Sequence, residues 1–405
     1  MRKFCFSVLA ALALALPSPA QERVLEEYLE RGDLAAGQTA VETALKTQPD
    51  SNELQLQLAL AQLFRGVERY SQEMHRLALR DSVLMGMVPF LRFPVPANDQ
   101  PAQATNAEVR AAIERLASDL GEVPQTLSKV PDSWKGTVPL KLGRVRMDFN
   151  GDGTVAPDEE LWRVVEGIDR SMTVDVETAE KFGVHLDAGD VRWLEGYCHV
   201  LMGLADTGLA YDTERLFDHT AHLFFTNPKS SYPFLTLNES EFFPVIADVA
   251  ALLHLLDLPL LDGPRLGSAL DHFRQVAPLS RRSWANIGAE TDNSFEWIPN
   301  PKQTSVAGWK VTPEMITEWY AFLGEAEAVL EGKRLLPFWR PDPETRGLNL
   351  NKVFSQPRDM DAILWAQGTA AVPYLEKGEV LSPEIWRRLN SVFDGQFFGF
   401  AVWFN

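Results

Sequence analysis

Asp148-Phe-Asn-Gly-Asp-Gly-Thr-Val-Ala-Pro-Asp-Glu159 is the stretch where residue type and spacing together specify a chemistry. Oxygen-bearing side chains stand at its first, third and fifth positions (Asp148, Asn150, Asp152). Gly153 stands sixth and Glu159 twelfth, with the apolar Val155 eighth. A short loop with oxygens so spaced wraps a hard cation that takes six to eight oxygen ligands. Gly153 permits the sharp turn between the two halves of the donor set, and Thr154 offers its backbone carbonyl. Ala156 has no side-chain oxygen, so a water completes that position. Glu159 binds with both carboxylate oxygens.

The stretch resembles the calcium loop of EF-hand proteins, and the match to the loop pattern is complete. The resemblance implies Ca2+ held by Asp148, Asn150, Asp152, the Thr154 carbonyl and Glu159. It covers one loop and its exit helix, not a full helix–loop–helix. Pro157 opens a helical stretch with acids in its first turn, where a helix tolerates both. Upstream, Val138–Met147 alternates apolar and polar residues and reads as strand or extended chain. A partner loop over Asp169–Glu180 keeps oxygens at the right positions but has Val174 where the turn glycine belongs, and a β-branched residue resists positive φ.

Outward from the loop, the N-terminus begins Met1-Arg-Lys, continues with an apolar run to Leu16, and ends in Pro17-Ser-Pro-Ala20. This is expected to be a secretory signal peptide over 1–20, placing the protein in the periplasm or outside the cell. The apolar run is too short for a membrane span. Of the two cysteines only Cys198 then remains, expected as a buried thiol in a helical pattern. The formal charge is −18, and more negative still without Arg2 and Lys3. That argues against nucleic acid and anionic lipid as partners, since both need basic patches.

Residues 21–90 show a spacing of thirty-four. Gly66 answers Gly32, Ala78 answers Ala44 and Leu79 answers Leu45, while Glu68 and Ser71 replace Leu34 and Gly37. The period resembles tetratricopeptide repeats, with glycine at each helix–helix turn, and implies a protein or peptide ligand. Residues 91–137 read as linker and one helix over Ala107–Leu120, capped by Thr105 or Asn106, and 138–180 as the calcium-binding segment. Residues 181–405 read as a larger helical domain. Asp187 caps its first helix, and later helices cover Thr213–Phe225, Glu241–Leu256, Pro264–Arg282 and Pro313–Leu330, with a last one opening at Ser382-Pro. The aromatic end, Gly395–Asn405, is expected as a terminal strand or extended tail.

Two other constellations bear chemistry. His219 and His222 share a helix face and bind a transition metal if a third ligand arrives. Glu290–Gln303 is a long polar loop with Glu290, Asp292, Glu296 and Trp297, and with Arg281 and Arg282 just upstream. Paired carboxylates there suit acid–base hydrolysis. The fold expected is mainly α, with tetratricopeptide-like hairpins followed by a larger helical domain that carries the calcium loop at its start. The function expected is an exported calcium-binding protein, a binding or scaffold protein of the cell envelope. The alternative is a hydrolase with its site near Glu290–Glu296.

Overall fold

Side-chain caps set where several helices begin. Asp33 accepts from the Ala36 amide, Ser51 from Leu54 and Thr105 from Glu108, each satisfying an amide that the first helical turn leaves without a partner. The computed structural model describes residues 23–80, 95–156, 159–163, 175–237 and 242–404, with backbone alone for 242–245 and 402–404. Residues 1–20, expected as a signal peptide, Pro157, Asp158 and residues 169–174 of the expected partner loop lie outside the described residues.

The protein is mainly α. Helices α1 (Glu26–Arg31), α2 (Leu34–Thr47), α3 (Asn52–Arg76) and α4 (Asn106–Leu127) come first. After the loop follow α5 (Val176–Lys181), α6 (Ala188–Leu209), α7 (Glu214–Thr220), α8 (Phe242–His254) and α9 (Gly263–Ala289). The last are α10 (Pro313–Leu330), α11 (Leu350–Ser355), α12 (Ala362–Gln367), α13 (Glu384–Val392) and α14 (Phe397–Phe404). The long helices pack in sequence, α2 on α3, α3 on α4, α4 on α6, α6 on α9 and α9 on α10. Short antiparallel pairings link distant segments: β1 (Val138–Leu140) meets β2 (Val184–Leu186), with Val138 opposite Leu186. No helix among the described residues is long and apolar enough to cross a membrane.

One hydrophobic core runs from Leu25 to Leu252, and a second from Ala277 to Phe400. The first core draws residues from each of the segments 21–90, 91–137, 138–180 and 181–405. Cys198 is buried in it, as expected.

Two expectations are corrected. Gly32 does turn the chain, capping α1 with φ +74°, but Gly66 lies in the middle of α3. Its missing Cβ admits Asp119 of α4, whose Cβ would stand 3.0 Å from an added side chain. The same residue type serves a turn at one position and a close approach at the other. The end of the chain is helical over Phe397–Phe404, not extended. Phe397 and Phe400, one turn apart, are buried against Trp319.

Arg192 on α6 ties three elements together. It is 1% exposed, donates from Nε to Asp132 (2.6 Å) and from Nη1 to Glu195 (2.7 Å), and reaches the Leu127 and Val130 carbonyls. Arg282 of α9 meets the same Asp132. Removing one partner of a buried ion pair leaves the other uncompensated. Arg192→Ala is expected to destabilise the protein by about 3 kcal/mol, read as a lower urea midpoint with unchanged slope.

Candidate functional site

The loop 148–159 winds around its own backbone amides. The two Asp148 carboxylate oxygens accept from Gly151 (2.7 Å) and Gly153 (2.9 Å). Asn150 Oδ1 accepts from the Asp152 amide (2.8 Å), and Asp152 Oδ1 from the Thr154 amide (2.7 Å). Glu159 closes the loop. Its Oε1 accepts from Phe149 (2.9 Å) and Asn150 (3.1 Å), and its Oε2 from Ala156 (2.7 Å). Gly151 and Gly153 have φ of +78° and +81°, the left-handed region that favours glycine. Glu159 is fully buried. An antiparallel bridge between Arg146 and Glu160 clamps the loop's base.

The loop is docked on α1–α3. Glu68 of α3 accepts from the Asp148 amide (3.1 Å), Ser71 donates to the Phe149 carbonyl (3.2 Å) and Gln72 to the Asp148 carbonyl (2.8 Å). Burial pushes the Glu68 carboxyl up to about 7. Val155 packs on the turn glycine of α1: a Cβ on Gly32 would sit 2.4 Å from Val155 Cγ2. Glu68 and Ser71, which break the thirty-four-residue spacing, are thus the residues that hold the loop.

The donor chemistry fits Ca2+. The set is hard oxygen throughout, and each carboxylate oxygen held by one N–H keeps a second lone pair. Among the described residues no lysine or arginine ion-pairs with Asp148, Asp152 or Glu159; the nearby Arg146 pairs with Glu160 instead (3.4 Å). The side chains are drawn onto amides, however, and the loop acids do not converge on one another.

The acids that do converge stand elsewhere. Ligand atoms of Asp187, Glu290 and Glu296 all lie within 4.8 Å of one another. Asp187 caps α6, accepting from Gly189 (2.7 Å), in a capping box with the buried Asp190. Glu290 ends α9, where the helix presents carbonyls, and accepts from Gln303 (3.0 Å). Glu296 is buried and accepts from the Ser294 amide (2.7 Å). Phe295 beside it holds φ +63°, a strained conformation for a side chain of its size. Burial, then the Asp187 charge, raises the Glu290 carboxyl to about 9, and burial raises Asp190 and Glu296 as well. Glu290 is therefore a protonated acid at neutral pH, lying against Asp187.

Of the three acids expected to converge, Glu290 and Glu296 do, while Asp292 is exposed and outside the group. Arg281 and Arg282 are engaged with Glu327 (2.6 Å) and Asp132 (2.9 Å). Asp187 was legible as a cap but not as a partner of residues a hundred positions on. The histidines do not form a metal group among the described residues: His219 bonds the Arg215 carbonyl (2.9 Å) and His222 pairs with Asp248 (3.1 Å). Burial pushes the Cys198 thiol up to about 12, so it stays protonated. Of the partner loop, the described part is helical, with Asp175 capping α5. No protein-family model, curated protein or solved structure matches the chain.

The acid cluster sets a pH dependence. Below about pH 4.5, the ordinary value for Glu290, its carboxyl is protonated folded or unfolded. Above that the unfolded chain releases the proton and the folded chain keeps it, so folding loses stability as pH rises toward about 9. Glu290→Gln removes this loss. Its urea midpoint is expected to match wild type at pH 4.5 and exceed it at pH 8.5; parallel midpoints at both would show that Glu290 titrates as an exposed acid does.

Proposed function

We propose that the protein is an exported calcium-binding protein, a binding or scaffold protein of the cell envelope whose ion is held by Asp148, Asn150, Asp152, the Thr154 carbonyl and Glu159. The observation that carries the reading is the closure of the loop by Glu159, buried and joined to amides at both ends of the stretch, with no basic partner among the described residues. The loop's oxygen donors lie along one twelve-residue turn, the arrangement from which a short loop supplies ligands to a hard cation. The contacts from Glu68, Ser71 and Gln72 support a structural role, because an ion that orders the loop also fixes its seat on α3. Periplasmic or extracellular placement, where calcium is accessible, follows from the signal-peptide reading of 1–20.

A hydrolase at the acid cluster is the alternative. It draws support from the convergence of Asp187, Glu290 and Glu296 and from the raised Glu290 carboxyl, which supplies a proton donor at neutral pH. Against it, the three acids are occupied in local structure, as a helix cap, a Gln303 contact and a Ser294 contact.

Calcium titration against thermal unfolding tests the reading. Calcium at a hundredfold excess over Kd is expected to stabilise the wild type by about 2.7 kcal/mol, and Glu159→Gln to abolish the shift. A shift retained in Glu159→Gln but lost in Asp187→Asn would move the ion to the acid cluster, and no shift in the wild type would overturn calcium binding.

A further inference from the structure

An open apolar cavity borders the second core. Between α9, α10, α11 and α13 lies a cavity of about 460 Å³, walled by Phe273, Trp319, Leu323, Ala326, Leu350 and Phe354 among others. Its lining is apolar almost throughout; Glu325 is the one ionisable side chain on it, and that carboxylate is paired with Arg334 (3.0 Å). Trp386, 37% exposed, also lines the cavity and opens it to solvent. Water held there would lack the two to four polar partners that make buried water stable. The volume and lining fall within the range of small-molecule sites.

We propose that this cavity takes the alkyl chain of a lipid-class molecule with an uncharged head. Nothing inside it orients a polar ligand core, so recognition rests on apolar area, and a flexible chain supplies that without needing a donor or acceptor. The head is left outside the apolar lining; the one acid on that lining, Glu325, pairs with Arg334, which also pairs with the exposed Glu379. Two acids against one arginine disfavour a second anion, which sets an uncharged head above a carboxylate. The inference is independent of the calcium loop.

Isothermal titration of the full mature chain with monoacylglycerols of eight, ten and twelve carbons, and with dodecanoate, tests it. Affinity is expected to rise by about threefold to fourfold per methylene, and the twelve-carbon monoacylglycerol to bind more tightly than dodecanoate. Ala326→Phe and Leu350→Trp, on opposite walls, are each expected to weaken binding at least about tenfold with the far-ultraviolet circular dichroism unchanged. If neither variant folds, the chain-length series on the wild type still decides. Tighter binding of dodecanoate would overturn the uncharged head. Absence of binding, or binding that both folded variants leave intact, would overturn the site.

Discussion

A fully buried carboxylate governs the N-terminal half of this protein. Taking an ionised carboxylate out of water costs several kcal/mol unless hydrogen bonds replace the solvent. Glu159 meets that demand with three backbone amides, two before the turn and one after it. Those bonds are possible only if Gly151 and Gly153 take positive φ and the chain doubles back from Met147 to Glu159, where an amide-to-carbonyl bond of 3.0 Å closes it. Fixing one side chain thus fixes the whole twelve-residue path.

The acid cluster at Asp187 meets the same problem by another route. There too few amides are available for four carboxyls, and the surroundings retain protons. The contrast follows from the surroundings of each acid. A loop wound around a carboxylate turns several N–H groups inward, whereas Glu290, at the C-terminal end of α9, is buried beside the Asp187 carboxylate, and both disfavour its anion. Sequence shows acids in both places; only the folded surroundings tell them apart.

This difference also sets how much was legible. The turn over 148–159 was legible because its oxygen-bearing residues and glycines all lie within twelve residues. Helices with Asp, Thr or Pro at their starts were readable for the same local reason, as at Thr105, Asp187 and Pro313. The convergence of Asp187 with Glu290 and Glu296 was not, because it depends on α6 packing against α9. Gly66 misled because an absent Cβ answers two different needs and sequence does not say which. The terminal run Phe397–Phe404 misled because aromatic and glycine content suggested extended chain, while burial of Phe397 and Phe400 on one face favours helix.

The loop's value to the fold lies in the residues that lead into it. Val145, Met147 and Phe149 are all 1% exposed or less and belong to the core that contains α1–α4. They alternate with Arg146, which pairs with the buried Glu160, and Asp148, whose amide and carbonyl are tied to α3. One edge of the stretch is therefore apolar core and the other is polar and tied to α3. A chain that lost the loop's geometry would also withdraw three buried side chains from beneath two small helices, α1 and α2, that cannot bury their own apolar faces alone. Charge at the loop and packing of the N-terminal helices are consequently one cooperative unit, joined through a backbone that alternates between them residue by residue.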